Sequence, residues 1–217
     1  MKKVVIVVVI TLIVGFIFLK VSQINNLLEA DTAYNEKKYD VAFSMYEELA
    51  NKGIIDAQYK LGVMYEKGQG IQQDYKKAIE WFEKVSSDEA AQYALGFIYF
   101  KEGMQQDYKK AFEWFEKAAN QGNAKAQFNI GNMYHKGYGI EQDSKKAFEW
   151  FEKAANQGHQ QAQAYLGYMY ANGDGVKQDS KKAFEWNGKI LMDSFNKNVE
   201  NSLNQAIKEY KEEQGKN

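Results

Sequence analysis

The stretch Gln142-Asp143-Ser144-Lys145-Lys146-Ala147-Phe148-Glu149-Trp150-Phe151-Glu152-Lys153-Ala154-Ala155-Asn156-Gln157-Gly158 decides the fold, because it recurs. Near copies begin at Gln73-Asp74-Tyr75, Gln106-Asp107-Tyr108 and Gln178-Asp179-Ser180. Each carries a Trp at the same offset: Trp81, Trp114, Trp150 and Trp186, spaced by 33, 36 and 36 residues. Upstream of each copy stands a Leu-Gly or Ile-Gly pair: Leu61-Gly62, Leu95-Gly96, Ile130-Gly131 and Leu166-Gly167. A period of this length without a strand pattern means stacked helical hairpins.

Each unit reads as two helices. Helix A of the first runs from Ala57 to Lys67, with Ala57, Leu61, Met64 and Tyr65 on one face. Gly68-Gln69-Gly70 ends it, Asp74 stands where an N-cap belongs, and helix B follows from Tyr75 to about Val85. A Gly inside helix A costs about 1 kcal/mol against Ala. Its return in every unit, with a recurring Ala78, Ala111, Ala147 and Ala183 in helix B, predicts that the two helices approach closely at the Gly-Ala pair.

These motifs, Ala-x-x-x-Leu-Gly-x-Met-Tyr, Gly-x-Gly-Ile/Val-x-Gln-Asp and Lys-Ala-x-x-Trp-Phe-x-Lys-Ala-Ala-x-Gln-Gly, resemble the Sel1-like repeat, a relative of the tetratricopeptide repeat. The resemblance implies an all-α, right-handed solenoid of helix-turn-helix units. Four such repeats are expected over 54–191. Residues 25–53 read as a degenerate tetratricopeptide-like opening unit, with Leu27–Tyr34 as helix A and Met45 at the Trp position. The second repeat is shorter at Glu102-Gly103-Met104, and the fourth has Asn187-Gly188 after its Trp. Residues 192–217 read as a capping helix, with Phe195, Val199, Leu203, Ala206, Ile207 and Tyr210 on the face that would cover the last repeat.

Residues 1–24 differ from the rest. Met1-Lys2-Lys3 precedes sixteen largely apolar residues, Val4 to Leu19, and Lys20 closes the run. As a helix it is about 24 Å long. That lies between a signal-peptide core and a full membrane span. The end of the run lacks small residues for cleavage, so an uncleaved signal anchor is the first reading and a cleaved peptide the second. The leading lysines place the N-terminus in the cytoplasm. The repeats would then face the periplasm or exterior of a bacterial inner membrane, or be secreted if the segment is removed.

Composition excludes much chemistry. The chain has 217 residues, no Cys and no Pro, and a formal charge of -1 with all 28 basic residues Lys. A disulfide frame and a thiolate site are impossible. The balance gives no sign of nucleic-acid binding. The Gly-x-Gly turns lack the preceding strand and third Gly of a dinucleotide loop. Ser194-Phe195-Asn196-Lys197 matches Ser-x-x-Lys without its companion motifs. His135 and His159 are single. No cofactor, metal or catalytic residue is expected. The Lys-Lys pairs read as solvated faces paired with Glu80, Glu113, Glu149 and Glu185.

What varies between units points to binding. On helix A the sets Lys60/Ala94/Asn129/Tyr165, Val63/Phe97/Asn132/Tyr168 and Lys67/Lys101/Lys136/Asn172 share one face, with Phe100 and His135 at its edge. The resemblance implies that this face lines the concave surface. The expected partner-binding groove is therefore Lys60, Val63, Lys67, Phe97, Phe100, Asn129, Asn132, His135, Lys136, Tyr165 and Tyr168. It would be basic toward its N-terminal end and aromatic beyond. The competing reading is that some of these aromatics fill gaps between repeats. The resulting expectation is a non-enzymatic scaffold or adaptor of the bacterial envelope that binds a protein or peptide. Two alternatives stand beside it: an immunity protein that neutralises a secreted toxin, and a β-lactamase-like hydrolase. The missing Cys and missing acid-base set weigh against the second.

Overall fold

The computed structural model describes residues 2–101 and 107–214, with side chains at 12–101, 107–205 and 207–208. The shortened turn at Glu102-Gly103-Met104, and Ala206 and Tyr210 of the expected cap face, lie outside the described residues or side chains. The described chain forms ten helices and no strand: α1 (Lys2–Asn35), α2 (Tyr39–Asn51), α3 (Ile55–Lys67), α4 (Tyr75–Lys84), α5 (Glu89–Phe100), α6 (Tyr108–Asn120), α7 (Ala124–Lys136), α8 (Ser144–Asn156), α9 (Gln160–Asn172) and α10 (Ser180–Gln214). It divides into two compact units, Met1–Ile98 and Tyr99–Asn217. In the first, α1 packs on α2, α2 on α3 and α3 on α4. In the second, each helix from α6 to α10 packs on the next.

The repeated residues explain the repeated geometry. The side chains of Asp74, Asp107, Asp143 and Asp179 each accept a hydrogen bond from the backbone N–H three residues on, at 3.0–3.1 Å. They cap the helix B starts. Gly68, Gly137 and Gly173 end α3, α7 and α9 in the left-handed conformation, with φ of 67°, 72° and 72°. The neighbouring Gln then seals the turn: Gln73, Gln142 and Gln178 donate from Nε2 to the carbonyls of Glu66, His135 and Ala171 at 2.6–2.8 Å. These carbonyls would otherwise be orphaned at the helix end.

In the core of the first unit, Leu61, Met64 and Phe82 are fully buried; in the second, Phe115, Ile130, Met133, Phe151, Leu166 and Met169 are. The close approach at the helix A glycine is real, but its partner is a phenylalanine one turn beyond the expected alanine. A Cβ on Gly62 would sit 2.7 Å from the Phe82 ring, and one on Gly131 2.7 Å from Phe151. The alanines Ala78 and Ala147 are buried beside them. The expectation placed the contact at the small residue; the glycine instead makes room for the large one. In the last repeat Asn187 stands in the Phe position, and its side chain faces Gly167.

Both ends depart from the expected boundaries. The apolar N-terminal run and helix A of the opening unit are one uninterrupted helix, α1. Helix B of the fourth repeat and the expected cap are likewise one helix of 35 residues, α10. Asp193 accepts a hydrogen bond from Gln163 and Ser194 one from Gln160, which tie the helix to α9. Beyond them Phe195, Val199, Leu203 and Ile207 are exposed and cover no core face. The reason is length: with no break at Asn187-Gly188, α10 runs straight past the end of α9.

Replacing Gly62 by Leu overpacks the Phe82 contact and is expected to cost about 1–3 kcal/mol, read as a lower urea midpoint. Adding Phe82→Ala vacates the ring and returns part of that loss. A double variant whose loss equals the sum of the two singles would contradict the contact.

Candidate functional site

Within the first unit, Lys60 is engaged in structure. Its Nζ lies 2.7 Å from Asp31 Oδ1 and 5.7 Å from the centre of the Tyr46 ring. Tyr46 donates its hydroxyl to the same carboxylate. Burial acts to raise the Asp31 carboxyl, but the hydrogen bonds from Lys60 and Tyr46 and the Lys60 charge outweigh it, so the group is held below its ordinary value. Burial and then the Asp31 bond push the Tyr46 phenol upward, so it stays neutral. This triad joins α1, α2 and α3. It also corrects the expectation of a basic surface at Lys60, since that charge is neutralised. Val63 is half-buried, Lys67 is exposed, and Phe97 is 41% exposed against Tyr93.

Within the second unit the aromatics separate into two kinds. Phe100 packs among Tyr108, Phe115 and Tyr138 at centroid distances of 5.2, 6.2 and 5.8 Å. It is half-buried in a gap between helices and does not line the pocket described next. Tyr165 is half-buried, stacked on Phe151 at 4.7 Å and edge-on to Phe128 and His135. Tyr168 is 54% exposed. His135, Lys136, Ala164, Tyr165 and Tyr168 line one open pocket of about 380 Å³ on α7 and α9. Four of the eleven expected residues therefore converge, while Asn129 and Asn132 sit half-buried on the same face of α7. His135 Nδ1 is buried without a hydrogen-bond partner among the described residues, 3.6 Å from Asp174 Oδ2.

His159 is half-buried and serves the fold. Its Nδ1 accepts from the Ala162 N–H at 3.3 Å and caps α9, while its ring stacks on Phe128 at 4.7 Å. The cap needs a neutral imidazole. Burial, then the charge of Lys125, lowers its pKa below the ordinary 6.5. Asn123 occupies the matching cap of α7.

The Lys-Lys pairs also differ from expectation. The second lysine of each, Lys77, Lys110, Lys146 and Lys182, lies over a helix A tyrosine (Tyr65, Tyr99, Tyr134, Tyr170) at 5.1–5.3 Å. Only Lys181 among the described residues approaches its helix B glutamate, Glu185, at 3.9 Å. A tyrosine face on the adjoining helix outcompetes a flexible exposed glutamate.

A recurring glutamine escaped the sequence reading. Gln58, Gln92, Gln127 and Gln163 donate to the carbonyls of Ala50, Ser86, Ala119 and Ala155, tying each helix A to the end of the preceding helix B. An amide following Ala in every unit, at a position otherwise apolar, was the available signal. No group of three or more His, Cys, Asp or Glu suited to a metal occurs among the described residues.

Comparison with known proteins now adds to this geometry. The Sel1 repeat model matches residues 55–86, 89–123, 124–159 and 160–186, more than half of the chain. The crystal structure of c5321, a protective antigen of uropathogenic Escherichia coli strains with an SLR fold, is 30% identical at a TM-score of 0.74. The match covers 79% of this chain and 38% of that one. A Sel1 repeat protein from Oxalobacter formigenes is 28% identical at a TM-score of 0.71, over 78% of this chain and 73% of its own. The chitin synthase regulator SKT5 of Saccharomyces cerevisiae is 38% identical over 63 residues, which are 29% of this chain and 9% of that protein. The chain thus spans well under two thirds of the SKT5 and c5321 chains.

Two titrations check the local chemistry. The folded Asp31 carboxyl lies below its unfolded value of 3.8, so its contribution is present above that pH and is lost as pH falls through the folded value. Lys60→Met is expected to raise the Asp31 carboxyl in an NMR titration and shift the acid limb of stability upward; an unmoved carboxyl would contradict the triad. The His159 contribution is present above pH 6.5 and is lost as pH falls through the lower folded value. His159→Asn should keep the cap and remove that pH dependence from the urea midpoint. A dependence unchanged in the variant would show that His159 is not its source.

Proposed function

The chain belongs to the Sel1 repeat family, and from that premise we propose that it is a non-enzymatic scaffold that holds a protein or peptide on the helix A face of α7 and α9. Sel1 repeat proteins typically act as protein-interaction scaffolds. The observation that carries the reading here is the pocket of His135, Lys136, Ala164, Tyr165 and Tyr168. It is built from positions that vary between repeats, on helices fixed by positions that do not. An exposed tyrosine beside a half-buried one offers apolar contact area with little side-chain entropy to lose, the common character of an interface anchor. The exposed Lys136 ammonium adds a charged group at the rim that would orient a partner.

The proposed location is the bacterial inner membrane, with α1 as a single-pass anchor and the repeats on the periplasmic or outer side. Supporting it, Leu12–Asn35 holds a helical stretch of 18 residues that is long and apolar enough to cross a membrane, with a mean hydropathy of 1.3 and none of it buried. Lys2 and Lys3 before the apolar run favour a cytoplasmic N-terminus.

Tyr168→Ala is expected to weaken partner binding at least about tenfold, a loss on the order of 1–2 kcal/mol, with an unchanged melting temperature because the ring is exposed. Tyr165→Ala should lower both, since its ring also packs on Phe151. Affinity purification of the full chain from its native envelope, with mass spectrometry, reads the first effect. The same stoichiometric partner recovered equally with wild type and Tyr168→Ala would overturn the assignment of the pocket.

A further inference from the structure

The side of α1 that faces away from the repeats carries an apolar seam with heptad spacing. Val14, Ile17, Val21, Ile24 and Leu28 follow one another at steps of three, four, three and four residues, and every one is exposed, at 59, 54, 50, 64 and 64%. In the sequence, Val7 and Ile10 continue the same spacing toward the N-terminus. At about 100° per residue, Val21, Ile24 and Leu28 fall within about 60° of one another. They stand opposite Ala30 and Ala33, which are buried.

A membrane covers every side of a helix alike, whereas after Lys20 the exposed large apolar side chains of α1 lie on one side. The apolar run closes at Lys20, and the segment after it is mostly polar: Ser22, Gln23, Asn25, Asn26 and Glu29, with Leu27 half-buried off the seam. Val21, Ile24 and Leu28 are nonetheless apolar and exposed, on the one stripe that extends the seam. The seam also has a structural end. Its next position, Asp31, is held by Lys60 and Tyr46 in the repeat fold.

We propose that the occupant of this seam is a second copy of the same chain, and that the protein self-associates in parallel through α1. A repeat of 3.5 residues with apolar residues at both core positions is the signature of helices supercoiling around one another. The seam is self-complementary. Its flanks carry a single charge, Lys20, which in a parallel pair lies across from Asn25 of the other copy, so no like charges oppose. Ile17 and Ile24 at the second core position of each heptad favour three or four copies over two. The parallel sense rests on the anchor reading above, because copies inserted in one membrane by the same leading lysines point the same way. The seam itself does not rest on it. Since α1 continues without a break into the opening repeat, association would hold the opening units of neighbouring copies side by side.

The chain has no cysteine, so single-cysteine scanning tests this directly. Val21→Cys, Ile24→Cys, Leu28→Cys and the exposed off-seam control Glu29→Cys are made in the full chain. Each is oxidised with copper phenanthroline in native membranes, and in the soluble fraction should the chain be found there. The expected result is disulfide-linked dimer at all three seam positions, at least tenfold above the Glu29→Cys control. Dimer at Ile24→Cys alone would mean an antiparallel pair and would overturn the parallel arrangement. Equal dimer at seam and control, or none anywhere, would overturn self-association through α1. Seam-specific dimer recovered from the soluble fraction would keep the seam and defeat the anchor reading, so the two failures are distinguishable.

Discussion

At Gly62 and again at Gly131, a phenylalanine ring occupies the space where a side chain would otherwise stand. The hairpin is built around this contact. A helix pair of 10–13 residues per arm cannot bury its apolar stripe unless the arms come close together. The missing Cβ lets Phe82 or Phe151 lie against the helix A backbone and be buried completely. The helix cost of an interior glycine is about 1 kcal/mol; the burial of a phenylalanine contributes about 1.5–3 kcal/mol. The second term wins, which accounts for the glycine at 62 and 131; at Gly167 the facing residue is Asn187. The fixed closeness of the arms then lets Asp, Gly and Gln satisfy the turn between them.

That economy frees the outer positions of helix A for other work. In the first unit one of them, Lys60, serves the fold by closing the triad with Asp31 and Tyr46. In the second unit His135, Lys136, Tyr165 and Tyr168 gather around one pocket. The half-buried Tyr165 belongs to both tasks: it stacks on the core Phe151 and forms a wall of the pocket. A ring supported in this way is held in place before any partner arrives, so little side-chain freedom is lost on binding.

Much of the fold was legible in the sequence because its determinants repeat. A residue type that returns four times at one offset, such as Asp at 74, 107, 143 and 179, declares its role through the chemistry the position needs. The Gly-Phe pairing was half legible: the glycine showed that something comes close, but spacing alone did not distinguish Ala78 from Phe82, both on the inner face of helix B. The buried glutamines were present in plain sight beside each Ala, but an amide in a helix ordinarily reads as surface. The ends were least legible. The absence of Gly or Pro between Leu19 and Leu27 was itself the sign of a continuous helix, whereas Gly188 reads as a break that α10 does not make. Of the expected site, residues that differ in environment between repeats, such as Phe100 and Lys60, could not be sorted from Tyr168 without knowing which neighbours cover them.

The central claim is that a partner seats on the variable face of α7 and α9, with the helix B faces left to solvent. Hydroxyl-radical footprinting of the free and partner-bound chain, read by mass spectrometry residue by residue, tests it most directly. The account predicts that Tyr168 and His135 become protected on binding while the half-exposed Trp114 and Trp150 of α6 and α8 keep their reactivity. Protection of the tryptophans with Tyr168 unchanged would contradict it.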